Sequence, residues 1–198
     1  MSTISFNPQL TTSPANSFLA TTLGYIQGTF LDDPSTYPKI KSGLIASTVT
    51  SPIWGGMAIT ENVPAPGSET YGENLVLATD VATTTGFTVF NQAYNGVITP
   101  GNSVPQSSAG MTTNYFGLGS DARIAVQCDS TLAAALDSGA VNQQVLWDYT
   151  NQKLIAYTSG TALPVRVLSV NTNSVIVNYN SGTGALTYTT GAVAVIQL

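Results

Sequence analysis

The pattern of apolar and polar positions from residue 42 onward predicts β-strands. Short segments rich in Val, Ile, Thr, Tyr and Phe are separated by Gly, Pro, Asn and Ser, as strands joined by turns are. The predicted strands are 43–49, 53–60, 74–80, 86–92, 123–128, 143–149, 152–157, 163–170, 173–179, 185–189 and 192–197. In the C-terminal half they recur roughly every 8–12 residues, which is typical of a barrel or a sandwich. We therefore expect an all-β fold, a β-barrel or sandwich.

One short helix is predicted over residues 130–136. Asp129 or the first helical residue can cap its N-terminus, and Gly139 can end it. A helix of this length needs tertiary contacts to be stable. Residues 150–151 and 171–172 separate apolar segments and are predicted to be hairpin turns.

Residues 1–23 are predicted to form an extended N-terminal arm. They are rich in Ser, Thr and Asn, and Pro8 and Pro14 oppose both a helix and a central strand. Their few apolar side chains cannot bury enough surface to order the segment alone. The arm either lies on a neighbouring molecule or folds back on its own domain, and the sequence leaves both open.

The rest of the chain divides into three predicted regions. Residues 24–94 form an N-terminal β region, and residues 121–198 form a C-terminal region that resembles a β-barrel. Residues 95–120 lie between them, rich in Gly and with little periodicity. They are predicted to be a long irregular loop, and loops of this length are usually functional or disordered.

The composition argues against catalysis. The chain has no histidine, a single cysteine, five Lys or Arg and ten Asp or Glu in 198 residues. Most enzymes use a titratable group near working pH, histidine above all, so we expect no enzymatic activity. No cluster of metal ligands and no phosphate-binding loop is present, so no metal and no cofactor is expected. A hydrolase that uses two carboxylates stays open, because scattered acids do not exclude it.

The charge distribution bears on the partners. The net charge is −5 and the few cations are scattered, which argues against nucleic acid and against an anionic membrane surface. The N-terminus lacks the pattern of a signal peptide, so we expect synthesis in a cytoplasm. Charged residues make up 8% of the chain, far below the roughly 25–35% of typical soluble surfaces. A polar but uncharged surface suits burial in an assembly.

Three side chains with potential reactivity or binding power are predicted to lie in the core. Trp54 and Trp147 each fall within an apolar strand, where a core position is favoured over an exposed ligand platform. Cys128 has no partner for an intramolecular disulfide and follows a strand, so we expect a buried, inert thiol.

Several segments resemble the structural cement, or capsid decoration, proteins of tailed bacteriophages. The shared layout is a strand, a short Ala-rich turn, a strand ending in Trp-Asp, a second strand, and a strand reading LPVRVLSV. In this chain these are residues 123–127, 129–136, 139–148, 154–157 and 163–170, and residues 24–28 and 53–59 are also similar to such proteins. The resemblance covers about two thirds of the chain and carries over no catalytic residue.

The resemblance implies a virion structural protein made in the host cytoplasm. Such a protein binds the outer surface of the assembled capsid and bridges neighbouring major capsid protein subunits, so the expected partners are that protein and copies of this chain. The contacts are predicted to come from the arm and the 95–120 loop, through Ile4, Phe6, Phe18, Tyr115 and Phe116. The main alternative is a carbohydrate- or host-surface-binding β module of a phage fibre or tail. A major capsid protein is a third possibility, disfavoured by the short, β-rich chain.

Overall fold

The computed structural model describes residues 25–31, 37–63, 74–90, 104–137 and 143–198. Within these ranges the fold is all-β with one short helix, as the sequence predicts. The helix α1 spans Ser130–Asp137, and a single 3-10 turn spans Tyr37–Lys39. The strands are β1 (Phe30–Leu31), β2 (Lys41–Ile45), β3 (Ala58–Asn62), β4 (Asn74–Leu77), β5 (Gly86–Val89), β6 (Thr112–Gly117), β7 (Arg123–Gln127), β8 (Val145–Asp148), β9 (Lys153–Ala156), β10 (Arg166–Asn180) and β11 (Ala185–Gln197).

Five strands close into a barrel in the order β2-β4-β3-β5-β6. The β2–β4 pair is parallel, and the other pairs are antiparallel. Closure leaves these strands without an open edge, which removes the usual route to edge-to-edge association. The barrel therefore offers side chains and loops to its surroundings, but no free strand.

The C-terminal half forms an open four-stranded sheet in the order β1-β7-β11-β10, all antiparallel. Beside it, β8 and β9 form a hairpin around the turn at residues 149–152, which confirms the predicted turn at 150–151. The predicted helix is also confirmed, and the Asp129 carboxylate caps it by accepting a hydrogen bond from the Thr131 N–H at 2.9 Å.

The segment at residues 25–31 joins the two halves through its backbone. Gln27 N–H donates to the Val175 carbonyl of β10, and Gly28 N–H donates to the Ala125 carbonyl of β7. On the barrel side, the Gly28 carbonyl accepts from Phe90 N–H at 2.6 Å. This short segment thus forms backbone hydrogen bonds to β7 and β10 of the sheet and to Phe90, the residue that follows β5.

The main hydrophobic core is continuous from the barrel to the sheet. Phe87 and Phe116 of the barrel belong to the same buried cluster as Ile124 of β7 and Leu132 of α1. Phe87 meets Trp147 edge-to-face, with ring centroids 5.0 Å apart, a favourable geometry for aromatic pairs. The barrel and the sheet therefore form one packed body.

A buried glutamine connects the β8–β9 turn to the barrel. The Gln152 Oε1 accepts hydrogen bonds from Ala58 N–H at 2.9 Å and from the Trp147 indole N–H at 3.2 Å, and its Nε2 donates to the Tyr149 carbonyl. The residue adopts φ of 52°, a left-handed conformation that side chains rarely adopt. Satisfying three buried polar groups outweighs that backbone cost.

The predicted irregular loop over 95–120 is wrong for its C-terminal part. Residues 112–117 form β6, which lies between β2 and β5 in the barrel. The segment reads Thr-Thr-Asn-Tyr-Phe-Gly, with the Thr, Tyr and Phe side chains that strands favour. Its strand partners are distant in sequence, and the glycines around it obscured the pattern.

Two further predictions differ from the structure in the C-terminal half. The predicted turn at 171–172 is a bulge within the single strand β10. There the Asn171 side chain accepts from Asn173 N–H, and Ser174 Oγ donates to the Asn171 carbonyl, so local bonds typical of turns are absorbed into a strand. The closed barrel lies in residues 41–117, whereas the region 121–198 contributes an open sheet and a hairpin.

Candidate interaction surface

Apart from Arg166 at the start of β10, the long hairpin of β10 and β11 has no charged side chain. Arg166 is the last charged residue of the chain, and residues 167–198 contain no Asp, Glu, Lys or Arg. Elsewhere the lysines are paired with acids: Lys41 with Glu61 at 2.9 Å, and Lys153 with Asp129 at 3.0 Å. Residues 1–31 and 81–120 are also without charged side chains, so the distribution of charges in the sequence does not by itself identify the hairpin.

The end of the hairpin extends past its neighbouring strand. Strand β7 pairs with residues 193–197 of β11 only, while β10 pairs with β11 along its whole length. Register shifts in β10 between Val167 and Ser169 and between Asn171 and Ser174 mark irregularities where such hairpins bend. Residues 181–185 at the tip are all exposed.

One face of this part of the hairpin packs inward. Directly paired residues of antiparallel strands lie on the same face, so Val177 and Tyr188 share a face with the pair Tyr179 and Leu186. These side chains form a small apolar cluster with Val104 and Trp54. Burial there raises the pKa of the Tyr188 hydroxyl.

The opposite face, which we call the outer face, consists of Ile176, Asn178, Asn180, Thr187 and Thr189. The two asparagines and the two threonines are exposed, and Ile176 is half-buried. Ile176 folds over Gly191, where any Cβ would collide with its side chain. The outer face is therefore mostly polar and uncharged, and covering it costs less hydration free energy than covering charged side chains would.

The β11 edge, defined as residues 185–191, is open. Along it β10 is the strand partner on one side, and within the described ranges no strand pairs on the other. An open edge presents unpaired N–H and C=O groups that can bind another strand. Among the residues that the structure describes, the hairpin thus combines an uncharged face with an edge that has no strand partner.

Trp54 lies beneath the hairpin and is half-buried. Its ring contacts Tyr179 with centroids 5.7 Å apart and an angle of 41° between the planes. Its buried indole N–H, like the Gln27 side-chain N–H, has no hydrogen-bond partner among the described residues. Trp147 is 5% exposed, so the core prediction holds for Trp147 and holds in part for Trp54.

Three acidic side chains of the described residues are held in their ionised form by local hydrogen bonds. The Thr83 N–H lowers the pKa of Asp80, and the Lys153 ammonium lowers the pKa of Asp129. Burial alone would raise the pKa of Asp148, but the hydrogen bonds from Asn151 and Thr150 lower it by more, so the net shift is downward. A general acid needs a raised carboxyl pKa, so these three acids are tuned in the opposite direction.

Cys128 is buried as predicted, and burial raises the pKa of its thiol to about 12. The thiolate, which is the reactive form, is therefore scarce at neutral pH. The described part of the chain contains no group of three or more His, Cys, Asp or Glu side chains that could hold a metal ion. It also contains no helix long and apolar enough to cross a membrane.

The structure separates the predicted contact residues. Tyr115 and Phe116 are both 0% exposed; Tyr115 packs with Ile59 and Leu75, and Phe116 packs in the main core. Their prediction as surface contacts is therefore corrected, because a strand and not a loop carries them. Ile4, Phe6 and Phe18 lie outside the described residues, and so does the predicted arm. The uncharged hairpin replaces Tyr115 and Phe116 as the candidate surface.

Comparison with protein-family models, with curated proteins and with solved structures gives no match to this chain. A functional proposal therefore has to be argued from the chain's own residues and from the segments described above.

Proposed function

We propose that this chain is a virion structural protein that binds the outside of an assembled phage capsid and cements neighbouring major capsid protein subunits. Its partners are then the major capsid protein and copies of itself, its place is the outer surface of the capsid, and it performs no catalysis. The observation that carries this proposal is the uncharged hairpin, residues 167–198, with its exposed polar outer face.

The physical reason is desolvation. A charged surface loses strong hydration when a partner covers it, and the loss has to be offset by well-placed opposite charges. Asn178, Asn180, Thr187 and Thr189 carry no charge, so covering them costs less and demands less exact pairing. A protein bound permanently at many equivalent sites of a shell gains its hold from repeated modest contacts.

The segments that resemble phage cement proteins support the same proposal. They include strand β7 of the sheet, together with α1, β8 and β9, which pack against it in the main core. A packing unit of this kind serves as a rigid support for the β10–β11 hairpin, because β7 pairs with β11. The proposed shell contact is the outer face, since the opposite face is already used by the apolar cluster around Trp54.

The proposal is tested with undecorated, expanded phage capsids in a sedimentation assay. The variant Asn178→Lys places a charge on the outer face and leaves Asn180, whose side chain accepts hydrogen bonds from the N–H groups of the turn, in place; we expect it to sediment with shells less than the wild-type chain does. The matched control, Thr158→Lys, adds the same charge at an exposed position outside the hairpin and should bind as the wild type does. Equal binding by all three proteins would remove the outer face from the proposed contact.

A second candidate is a carbohydrate- or host-surface-binding β module, and Trp54 favours it. A half-buried indole ring beside Tyr179 offers the aromatic surface on which sugar rings pack. A glycan screen tests it, with Trp54→Ala as the variant that removes the ring. Glycan binding that depends on the Trp54 ring would favour this candidate over the cement protein.

A carboxylate-based hydrolase is the least supported of the alternatives that the sequence leaves open. It requires one acid with a raised pKa, and the pKa values of Asp80, Asp129 and Asp148 are all lowered. An NMR titration that found a raised carboxyl pKa would reopen this alternative.

A further inference from the structure

The β11 edge lacks the features by which proteins protect a free strand. Natural edge strands usually carry Lys or another inward charge, a Pro, or a bulge that turns the edge away. Residues 185–191 read Ala-Leu-Thr-Tyr-Thr-Thr-Gly and contain none of these side chains, and their pairing with β10 runs in unbroken register. An unprotected, regular edge is suited to pairing with another strand.

The side chains along the β11 edge can form cross-strand pairs with the same side chains of a second copy. Suppose that two β11 strands pair antiparallel about a two-fold axis through Tyr188. Thr187 of each copy then lies opposite Thr189 of the other. Cross-strand Thr pairs are among the favourable pairs of antiparallel sheets. On the inward face, Leu186 then lies opposite Thr190, and the two Tyr188 side chains meet on the axis.

We infer that the β11 edge pairs with the β11 edge of a second copy of this chain, joining the two hairpins into one continuous antiparallel sheet. The inference deepens the proposed function and rests on it, because a cement protein that pairs with its own copies ties together the capsid subunits beneath both. A two-fold interface of this kind uses the same patch on both copies.

The charge distribution favours a second copy as the occupant. Each chain carries a net charge of −5, and two such bodies repel one another. The hairpin contributes nothing to this repulsion, because residues 167–198 contain no Asp, Glu, Lys or Arg. Association through this edge therefore brings no acidic side chain of one hairpin against an acidic side chain of the other.

The test is sedimentation velocity of the free, full-length chain over a range of concentrations, without capsids. We expect a reversible dimer. The variant Thr187→Lys with Thr189→Lys places like charges directly opposite one another across the two-fold axis, and should weaken dimerisation by about tenfold or more. The matched control, Thr158→Lys with Ser159→Lys, adds the same charges at exposed positions outside the hairpin, and should dimerise as the wild type does.

A cross-link provides a second measurement that does not depend on added charge. Thr187→Cys with Thr189→Cys should form a covalent dimer on mild oxidation, because opposed positions of paired strands lie within reach of a disulfide. Asn178→Cys with Asn180→Cys should not. Cys128 is buried and stays out of the reaction.

A wild-type chain that remains monomeric at every concentration would overturn the inference, and so would a dimer that the Thr187 and Thr189 variants leave unchanged. These results concern the free chain alone. A chain that stays monomeric and binds capsids would refute the pairing and leave the proposed function standing. A chain that dimerises and binds no capsid would refute the proposed function and leave the pairing standing.

Discussion

Gly28 and Gly55 touch through their backbones. A Cβ placed on Gly28 would collide with the Cα, C and O atoms of Gly55, and Gly28 has φ of +84°. The contact lets the segment at residues 25–31 lie against the barrel closely enough for the Gly28 carbonyl to accept from Phe90 N–H. The close approach of these two glycines thus permits a backbone hydrogen bond between the barrel side and the segment that pairs with the sheet.

The first prediction concerns this contact. Gly28→Ala should lower the free energy of unfolding by about 3 kcal/mol or more, since it adds both a backbone clash and left-handed strain. Gly110→Ala is the matched control: Gly110 has a similar φ of +80° but nothing within 4 Å of an added Cβ, so it should cost only about 1–2 kcal/mol. Denaturant unfolding measures both. Equal losses would show that the close approach of Gly28 and Gly55 is not important for stability.

The second prediction concerns Gln152. Gln152→Ala leaves the N–H groups of Ala58 and Trp147 buried without an acceptor, and each such group costs about 1–3 kcal/mol. We expect a loss of about 3 kcal/mol in thermal or denaturant unfolding. Thr150→Ala changes an exposed residue of the same turn whose backbone N–H makes the bond to Asp148, and should cost less than about 1 kcal/mol. A similar loss from both variants would contradict the bridging role of Gln152.

The third prediction concerns the pH dependence contributed by Asp129. Its folded pKa lies below the ordinary value of 3.8 because of the bond from Lys153 and the helix cap. Its ionised form therefore stabilises the fold above that pH, and the contribution is lost as the pH falls through the folded pKa. Asp129→Ala should cost about 1 kcal/mol at pH near 7, and the difference from wild type should shrink at acidic pH. A difference that is the same at both pH values would be inconsistent with this account.

The fourth prediction concerns Cys128. Because the thiol is buried and its pKa is raised to about 12, thiol reagents should fail to modify the native chain at mildly alkaline pH. Denatured chain should react at once, and this serves as the control for reagent activity. Rapid modification of the native chain would show that the segment around α1 opens readily.

The fifth prediction concerns the predicted N-terminal arm. Deleting residues 2–20 should weaken capsid binding, because the sequence predicts that the arm contacts a neighbouring molecule. The deletion should leave the thermal unfolding of the free chain nearly unchanged. A large fall in melting temperature would instead assign the arm to the core of its own domain.

The sequence predicts local features of this fold well. The helix over 130–136 and the turn at 150–151 follow from capping and turn residues that act on their immediate neighbours. Strand β6 was missed, because Tyr115 and Phe116 owe their burial to β2 and β5, which are distant in sequence. Closure of the barrel depends on such long-range pairs, and no local pattern encodes them.

The candidate surface was hidden for a related reason. The low charge content was evident, but the sequence alone did not show that its uncharged end would form one hairpin with a free edge. The predicted turn at 171–172 divided β10 into two short strands, and Gly191 separated the two predicted strands that form β11. A bulge and a glycine, which usually end strands, here lie within them.

The central claim is best tested by counting the copies of this chain that sediment with undecorated, expanded phage capsids. The account predicts saturation at a fixed ratio to the major capsid protein, and that ratio would identify the symmetry position occupied. A well-folded chain that fails to bind competent capsids at any concentration would contradict the cement role and would direct attention to glycan binding at Trp54.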